Sequence, residues 1–594
     1  MPFGAEVLAG GGVRFAVWAP SCAQMGLAVE GEELPRALQQ RGDGWHELVA
    51  DDLGPGARYR FALPDGTRVP DPASRFQPDD VHGPSEVIDP CAYRWADGAW
   101  RGLRWAEGVV YELHVGAFTP EGTFAAATGR LDHLVALGVT AVELMPLGAF
   151  PGRRGWGYDG VFPYAPEASY GRPDDVKRFI EEAHARRLAV ILDVVYNHFG
   201  PEGNYLSLYA PAFFTKRHTT PWGDAIDYGN ATVRAFAVEN ALYWVDEYHL
   251  DGLRLDAVHA IVDDSPVHVL DELAARVRAV ERERPIHLIL ENEENEARRL
   301  VRDADGRPRA YDAQWNDDVH HVLHVAATGE RSGYYADYTG RADLLARALA
   351  EGFAFQGQIM PYRRRSRGEP SAWLPPDAFV AFAQNHDQVG NRAFGERLDT
   401  LAPAEAVRAV AATYLLLPQV PMLFMGEEWA TDRPFPFFCD FGPDLADAVR
   451  DGRRNEFARF PEFADPQARA RIPDPLAEAT FLSAKLDWEA ALEGEHARRL
   501  AWYRAILAVR RAHIVPLLPH LGGDAGCAVV HAVAVAVTWT TADRTVLSLA
   551  ANLSAVRAAL PVPDDGVELW CEGTVGRDGT LAPWTVRWTL QHAG

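Results

Sequence analysis

At 594 residues the chain is longer than one hydrophobic core can organise, and about two to four domains are expected. A formal net charge of −25 argues against nucleic acid or an anionic membrane as a partner, since both require a basic surface. An apolar content of 48% is that of a folded globular protein, and the acidity suits a neutral substrate such as a sugar, or simply solubility.

Residues 1–95 read as an N-terminal β-sandwich. Val13, Phe15 and Val17 alternate with Arg14 and Ala16, Leu27 and Val29 flank Ala28, and Tyr59, Phe61 and Leu63 repeat the period of two. Gly10-Gly11-Gly12, Gly54-Pro55-Gly56 and Pro64-Asp65-Gly66 supply turns. A Pro/Asp-rich bridge, DPASRFQPDDVHGPSEVIDP (71–90), follows. From about residue 105 the pattern becomes strand then helix, repeatedly. VVYELHV (109–115) is a strand. Phe124, Ala127, Leu131, Leu134 and Val135 then share one helical face that Gly138 ends. After strand TAVELMPL (140–147), Pro173 opens a helix with Asp174 and Asp175 at its positive end and Arg186-Arg187 at its negative end. Val176, Phe179, Ile180 and Ala183 form its stripe. Further strands are AVILDVV (189–195), GLRLDAV (252–258), HLILEN (287–292), DAQWND (312–317), FVAFAQN (379–385) and MLFMGEE (422–428). This alternation predicts an α/β fold, a closed (β/α)8 TIM barrel with inserted loops over residues 96–515. An open doubly wound sheet competes, but no glycine-rich dinucleotide fingerprint follows an early strand. A helix over 495–513 precedes two strand-like stretches, 527–541 and 545–554, so residues 516–594 read as a C-terminal all-β domain.

The five cysteines are scattered without a CxxC pair, which fits a reducing compartment. The N-terminus MPFGAEVLAG has no secretory pattern, and the best membrane-span candidate, 409–425, is interrupted by Pro418, Gln419 and Pro421. A cytoplasmic protein is expected.

The chemistry concentrates at strand ends. AVILDVVYNH, DGLRLDAVH, HLILENEEN and FVAFAQNHD each start apolar and finish in carboxylates, His or Arg. Buried parallel strands read this way where their C-terminal ends open into an active site. Asp256 lies two residues after Arg254, so both face one side of a strand; the Arg would hold the carboxylate ionised, as a nucleophile needs, although a structural pair reads the same. Glu291 ends an apolar run that disfavours its charged form, which suits a general acid. Glu293, Glu294 and Glu296 are alternatives for that role, or members of a solvated acidic loop. His386 and Asp387 could grip adjacent sugar hydroxyls or form a loop hydrogen-bond cluster. His198 is a candidate hydroxyl donor, or a satisfied structural histidine, and Asp193 could position it or Arg254. Tyr158, in GWGYDG, offers an aromatic face to a pyranose, or anchors its loop. No metal or cofactor is expected. Asp193 and Asn197 lack the dense Asp/Asn loop of a calcium site, and His320, His321 and His324 lack a paired carboxylate set.

With DVVYNH, GLRLDAVH, the Glu291 strand end and QNHD in place, the chain resembles the α-amylase family of retaining glycosidases. Longer segments are similar to its maltooligosyltrehalose trehalohydrolase branch: FAVWAP (15–20), ELHVGAFTPEGTF (112–124), RGWGYDGVFPYAP (154–166), YNHFGPEGNYL (196–206), 312–338 and QNHDQVGNRAFGERL (384–398). That resemblance implies Asp256 as nucleophile, Glu291 as general acid/base and Asp387 as transition-state stabiliser. It places Tyr158, His198, Arg254 and His386 on the −1 sugar, with His259 and Glu294 towards +1. The implied substrate is a maltooligosaccharide with a trehalose end, cleaved at the adjoining α-1,4 bond. A synthase that makes this end is the implied pathway partner. A glycogen branching or debranching enzyme is the alternative. One departure is the acidic run Glu291-Asn292-Glu293-Glu294-Asn295, although Asn295 and Arg298 keep the family spacing.

Overall fold

A computed structural model describes residues 2–592 except 221–222, 282–283, 459, 464 and 561–565. Among the described residues, eight strands close into a parallel barrel: β1 (Val110–Leu113), β2 (Ala141–Leu144), β3 (Ala189–Val194), β4 (Gly252–Leu255), β5 (His287–Leu290), β6 (Ala313–Trp315), β7 (Phe379–Ala381) and β8 (Val420–Phe424), with β8 pairing back onto β1. Every residue of these strands is buried, which explains their continuous apolar character in sequence.

Side-chain alternation sorts the barrel interior into layers. Val110, Ala141, Ile191, Ile289, Ala313 and Met422 pack with Leu103 and Trp105 into one apolar cluster. Two residues further along their strands, at the next inward positions, stand Glu112, Glu143, Asp193 and Glu291. The barrel is therefore dry in its lower part and charged at its mouth.

The helix Pro173–Ala185 buries Val176, Phe179, Ile180 and Ala183 as its period requires. The apolar face expected over 124–135 is divided between Phe124–Thr128 and Leu131–Leu137, and Val135 is 42% exposed. Gly129 caps the first helix, and the chain restarts with a new phase, so a single wheel drawn through both misplaces Val135. Gly138 ends the second helix at φ 105°, the left-handed cap anticipated for it. Before the barrel, Gly4–Val7, Val13–Trp18, Trp45–Ala50 and Gln39–Gln40 form one antiparallel sheet, and Gly26–Val29 and Arg58–Ala62 centre a second. Phe15, Leu27, Tyr59 and Phe61 are buried between them. After the barrel, Gly526–His531, Ala534–Thr540, Val546–Asn552, Thr585–Gln591 and Val567–Glu572 form an antiparallel sheet, with the stretch 527–541 folded as a hairpin. Trp588 of this sheet donates its indole N–H to the carbonyl of Ala412, 2.9 Å away on a barrel helix. Among the described residues no helix is long and apolar enough to cross a membrane.

Candidate active site

The barrel mouth is organised around one guanidinium. Arg254 leaves β4 pointing inward and is completely buried. Its Nη1 donates to Asp193 Oδ2 at 2.6 Å and Asp256 Oδ1 at 3.0 Å, and its Nη2 to Glu291 Oε2 at 2.9 Å. The guanidinium also lies 3.9 Å from the ring centroid of Trp315, at the end of β6. A planar fork with fixed donors suits three carboxylates arriving from three strands.

Local backbone geometry completes the arrangement. Ala257 follows Asp256 in the left-handed region, at φ 41° and ψ 46°. Its N–H donates to Glu291 Oε2 at 2.9 Å. Asn197 donates its amide to Asp256 Oδ2 at 3.2 Å, and Tyr158 donates its hydroxyl to Asp193 Oδ2 at 2.6 Å. Of the two roles open to Asp193, it therefore holds Arg254. Asn385 caps the short helix His386–Gly390, accepting from the N–H groups of Asp387 and Gln388 at 3.0 and 3.2 Å. Asp387 then projects into the opening with 38% of its side chain exposed, while His386 is buried beneath it. Tyr158 stacks on the imidazole of His386, centroids 5.0 Å apart. His198 donates from Nε2 to the carbonyl of Tyr158 at 3.0 Å.

Asp256, Glu291, Asp387, Tyr158, His198 and His259 all line one cleft of about 520 Å³. Arg254 and His386 lie under its floor. Glu294 does not line the cleft; Arg365 holds its carboxylate at 2.5 Å. Glu293 does line it, paired with Arg363, and Glu296 accepts from Arg299 at 2.7 Å. The acidic loop is thus matched by arginines, and Glu291 is the member bonded to Arg254. His259 accepts the N–H of Glu293 at 3.3 Å through Nδ1.

Electrostatics depart from one expectation. Burial raises Glu291, but Arg254, the Ala257 N–H and His259 outweigh it, so its carboxyl sits below the usual range. Asp256 is pushed well up by burial and the like charge of Glu291, against Arg254. These two directions are the reverse of what the isolated motifs suggest. Adjacent residues revealed the Arg254–Asp256 contact, whereas the second nitrogen's reach to β5 is a tertiary fact. Burial pushes Asp193 up to about 6 despite Arg254, and lowers His198 to about 4, leaving that imidazole neutral near pH 7. Burial would lower His386 too, but Asp387 and Glu112 raise it to about 9. Among the described residues no group of three or more His, Cys, Asp or Glu side chains could hold a metal ion.

The alpha amylase catalytic-domain model matches residues 74–224. The malto-oligosyltrehalose trehalohydrolase of Deinococcus radiodurans is 45% identical over 511 residues, covering 86% of this chain and 82% of that protein. The protein of the same name from Mycobacterium tuberculosis is 42% identical over 583 residues, covering 96% and 97%. The chain belongs to the malto-oligosyltrehalose trehalohydrolase family. A crystal structure from Salmonella typhimurium, provisionally described as an alpha amylase, superposes on this family member with a TM-score of 0.95 at 48% identity over 99% of both chains. A 1,4-alpha-glucan branching enzyme from Leifsonia xyli matches only 42% of the chain, at 35% identity. Residues 522–588 match a model described as a domain of unknown function, DUF3459.

Several residues at the mouth of this family member escaped the sequence reading. Asp317 lines the cleft and is pushed up to about 7 by burial and the charge of Glu291. Arg363 and Arg367 line it from the segment YRRRSR (362–367). A basic run within so acidic a chain was the available signal. Glu112 and Glu143 stand at the inward positions of β1 and β2, in the same layer as Asp193 and Glu291.

Proposed function

We propose that the enzyme is a retaining glycosidase that cleaves the α-1,4 bond beside the terminal trehalose unit of maltooligosyltrehalose. The observation that carries the chemistry is the sharing of one guanidinium by Asp256 and Glu291, which makes the two carboxyls neighbours, as a double displacement needs. The names of the relatives support the trehalose end.

In this reading Asp256 is the nucleophile and Glu291 the acid/base. With sugar in the −1 position Glu291 carries the proton and Asp256 is ionised. Glu291 then protonates the glycosidic oxygen while Asp256 attacks the anomeric carbon, the C–O bond breaks, and trehalose leaves. Water, deprotonated by Glu291, releases the shortened glucan with its α configuration restored. Asp387, held beside cationic His386, steadies the oxocarbenium-like transition state. Tyr158 and His198 contact the −1 sugar, Arg254 and His386 act from beneath it, and His259 contributes on the +1 side. Glu294 acts at one remove, through Arg365 at the rim. The catalytic unit is residues 96–515, flanked by 1–95 and 516–594. The compartment is cytoplasmic, and the partner upstream is maltooligosyltrehalose synthase.

The test is incubation with maltooligosyltrehalose, with the product anomer followed by NMR. Trehalose and an initial α-anomer are expected; an initial β-anomer removes Asp256 from the nucleophile's role. New α-1,6 branches formed on amylose would favour the branching enzyme instead. Asp256→Ala and Glu291→Gln are expected to lower kcat about 10³-fold or more while the circular dichroism spectrum is retained. Full activity in Glu291→Gln would move the acid to Glu293.

A further inference from the structure

Beside the catalytic carboxylates, across the barrel mouth, stands a pair of glutamates that the mechanism leaves unused. Glu112 of β1 and Glu143 of β2 are register partners on adjacent parallel strands, both pointing into the barrel and both buried. Glu112 meets His386 twice. It accepts from the imidazole Nδ1 at 2.5 Å and from the His386 backbone N–H at 3.1 Å. The opposite ring nitrogen, Nε2, then lies 3.4 Å from Asp387 Oδ1. Among the described residues Glu143 has no hydrogen-bond partner at Oε1.

We propose that Glu112 is a positioning residue for the reaction. By engaging both the backbone N–H and the Nδ1–H of His386, it fixes the ring's orientation so that Nε2 faces Asp387 and the −1 sugar. The inference deepens the reading of His386 and Asp387 given above and rests on it.

Charge placement supports the assignment. His386 is faced by Glu112 from β1, Glu143 from β2, Asp193 from β3, Arg254 from β4 and Asp387 on its own element, with His114 nearby and Tyr158 stacked on it. Asp387 and Glu112 are the leading groups that raise it. Burial and the neighbouring Glu112 push the Glu143 carboxyl well above the usual range, and Glu112 is the member of the pair bonded to His386. A carboxylate on Nδ1 thus supports an imidazolium whose other edge supports Asp387, an arrangement like the one that orients other catalytic histidines.

The test compares pH profiles of kcat for Glu112→Gln, Glu112→Asp and Glu143→Gln. Glu112→Gln keeps the shape of the side chain but cannot sustain the imidazolium. It is expected to lower kcat about 10- to 100-fold with a smaller change in KM, and to move the alkaline limb down by about one pH unit or more. Glu112→Asp, which keeps the charge, is expected to return the limb toward wild type. Glu143→Gln mimics a neutral acid, and its limb should coincide with wild type. An unchanged limb in Glu112→Gln overturns the proposal, as does an equal shift in Glu143→Gln. Should Glu112→Gln fail to fold, Glu112→Asp decides: a lowered kcat with the limb retained supports the proposal, and an unchanged kcat overturns it. Wild type is assayed first. No trehalose release there defeats the functional reading, whereas an unchanged variant profile on a substrate that wild type cleaves defeats only this inference.

Discussion

Arg254 shows how much one side chain controls at this site. A guanidinium with no solvent contact is tolerable only because three carboxylates and the face of Trp315 surround it. Removing it leaves like charges buried together. Arg254→Met is therefore expected to destabilise the fold by about 3–5 kcal/mol, read as a shifted urea midpoint. Arg254→Lys retains a charge but not the fork, since an ammonium is a point donor that cannot span Asp193, Asp256 and Glu291 in one plane. Its kcat/KM is expected to fall about 10²-fold or more, with most of the stability kept. A lysine variant with activity near wild type would show that the site needs a cation there rather than a fork. The same residue explains a limit of reading sequence. Arg254 and Asp256 lie two apart on one strand, so their pairing was legible. The contacts to Asp193 and Glu291 join three strands, and no single strand's sequence shows them.

At the scale of elements, strand ends were the most readable part of the chain, because a barrel strand buried on both faces leaves an uninterrupted apolar run that stops where it meets the cleft. The loops after the strands were less readable, since their shape follows from close approaches that no pattern encodes. Gly157 illustrates this. It sits at φ 98°, and a Cβ there would lie 2.2 Å from the carbonyl oxygen of Pro146. The loop can thus fold tightly onto the end of β2 and deliver the next residue, Tyr158, to Asp193 and His386. Gly157→Ala should displace that loop, lowering stability by about 1–3 kcal/mol and kcat/KM about tenfold. Thermal melts and kinetics on one preparation check both. A lowered melting temperature with unchanged kcat/KM would confine the glycine to a structural role. Glu294 and Glu293 are instructive in the same way. The family resemblance pointed to the former, whereas the turn after β5 sends Glu293 into the cleft and Glu294 to Arg365. Glu112 and Glu143 were visible only as members of strands, because nothing in a single strand reveals which buried carboxylate will meet a histidine arriving from β7.

For the whole molecule, charge and burial act in the same direction. The chain carries a net −25, so self-repulsion grows as pH rises. It also buries carboxyls whose desolvation raises them: Asp71 and Asp193 to about 6, Glu167, Asp317 and Glu427 to about 7. Each is raised above its unfolded value, so between those values the folded state holds the proton that the unfolded state has lost. Their contribution to stability is complete below about pH 4 and disappears as pH rises through 6 to 7. His386 behaves similarly at higher pH, its share present below about pH 6.5 and lost through about 9. Opposing them are depressed carboxyls such as Glu330, held near 2 against burial by His324 and Arg392, whose share is lost only in acid. The melting temperature is therefore expected to be highest on the mildly acidic side and to fall by a few °C between about pH 5.5 and about pH 8.5. Added salt should recover part of that loss at the alkaline end, because it screens surface repulsion but not the buried carboxyls. Calorimetry at the two pH values, with and without about 0.3 M salt, separates the two contributions. Full recovery by salt would assign the whole effect to net charge, and a melting temperature that rises toward pH 8.5 would contradict both.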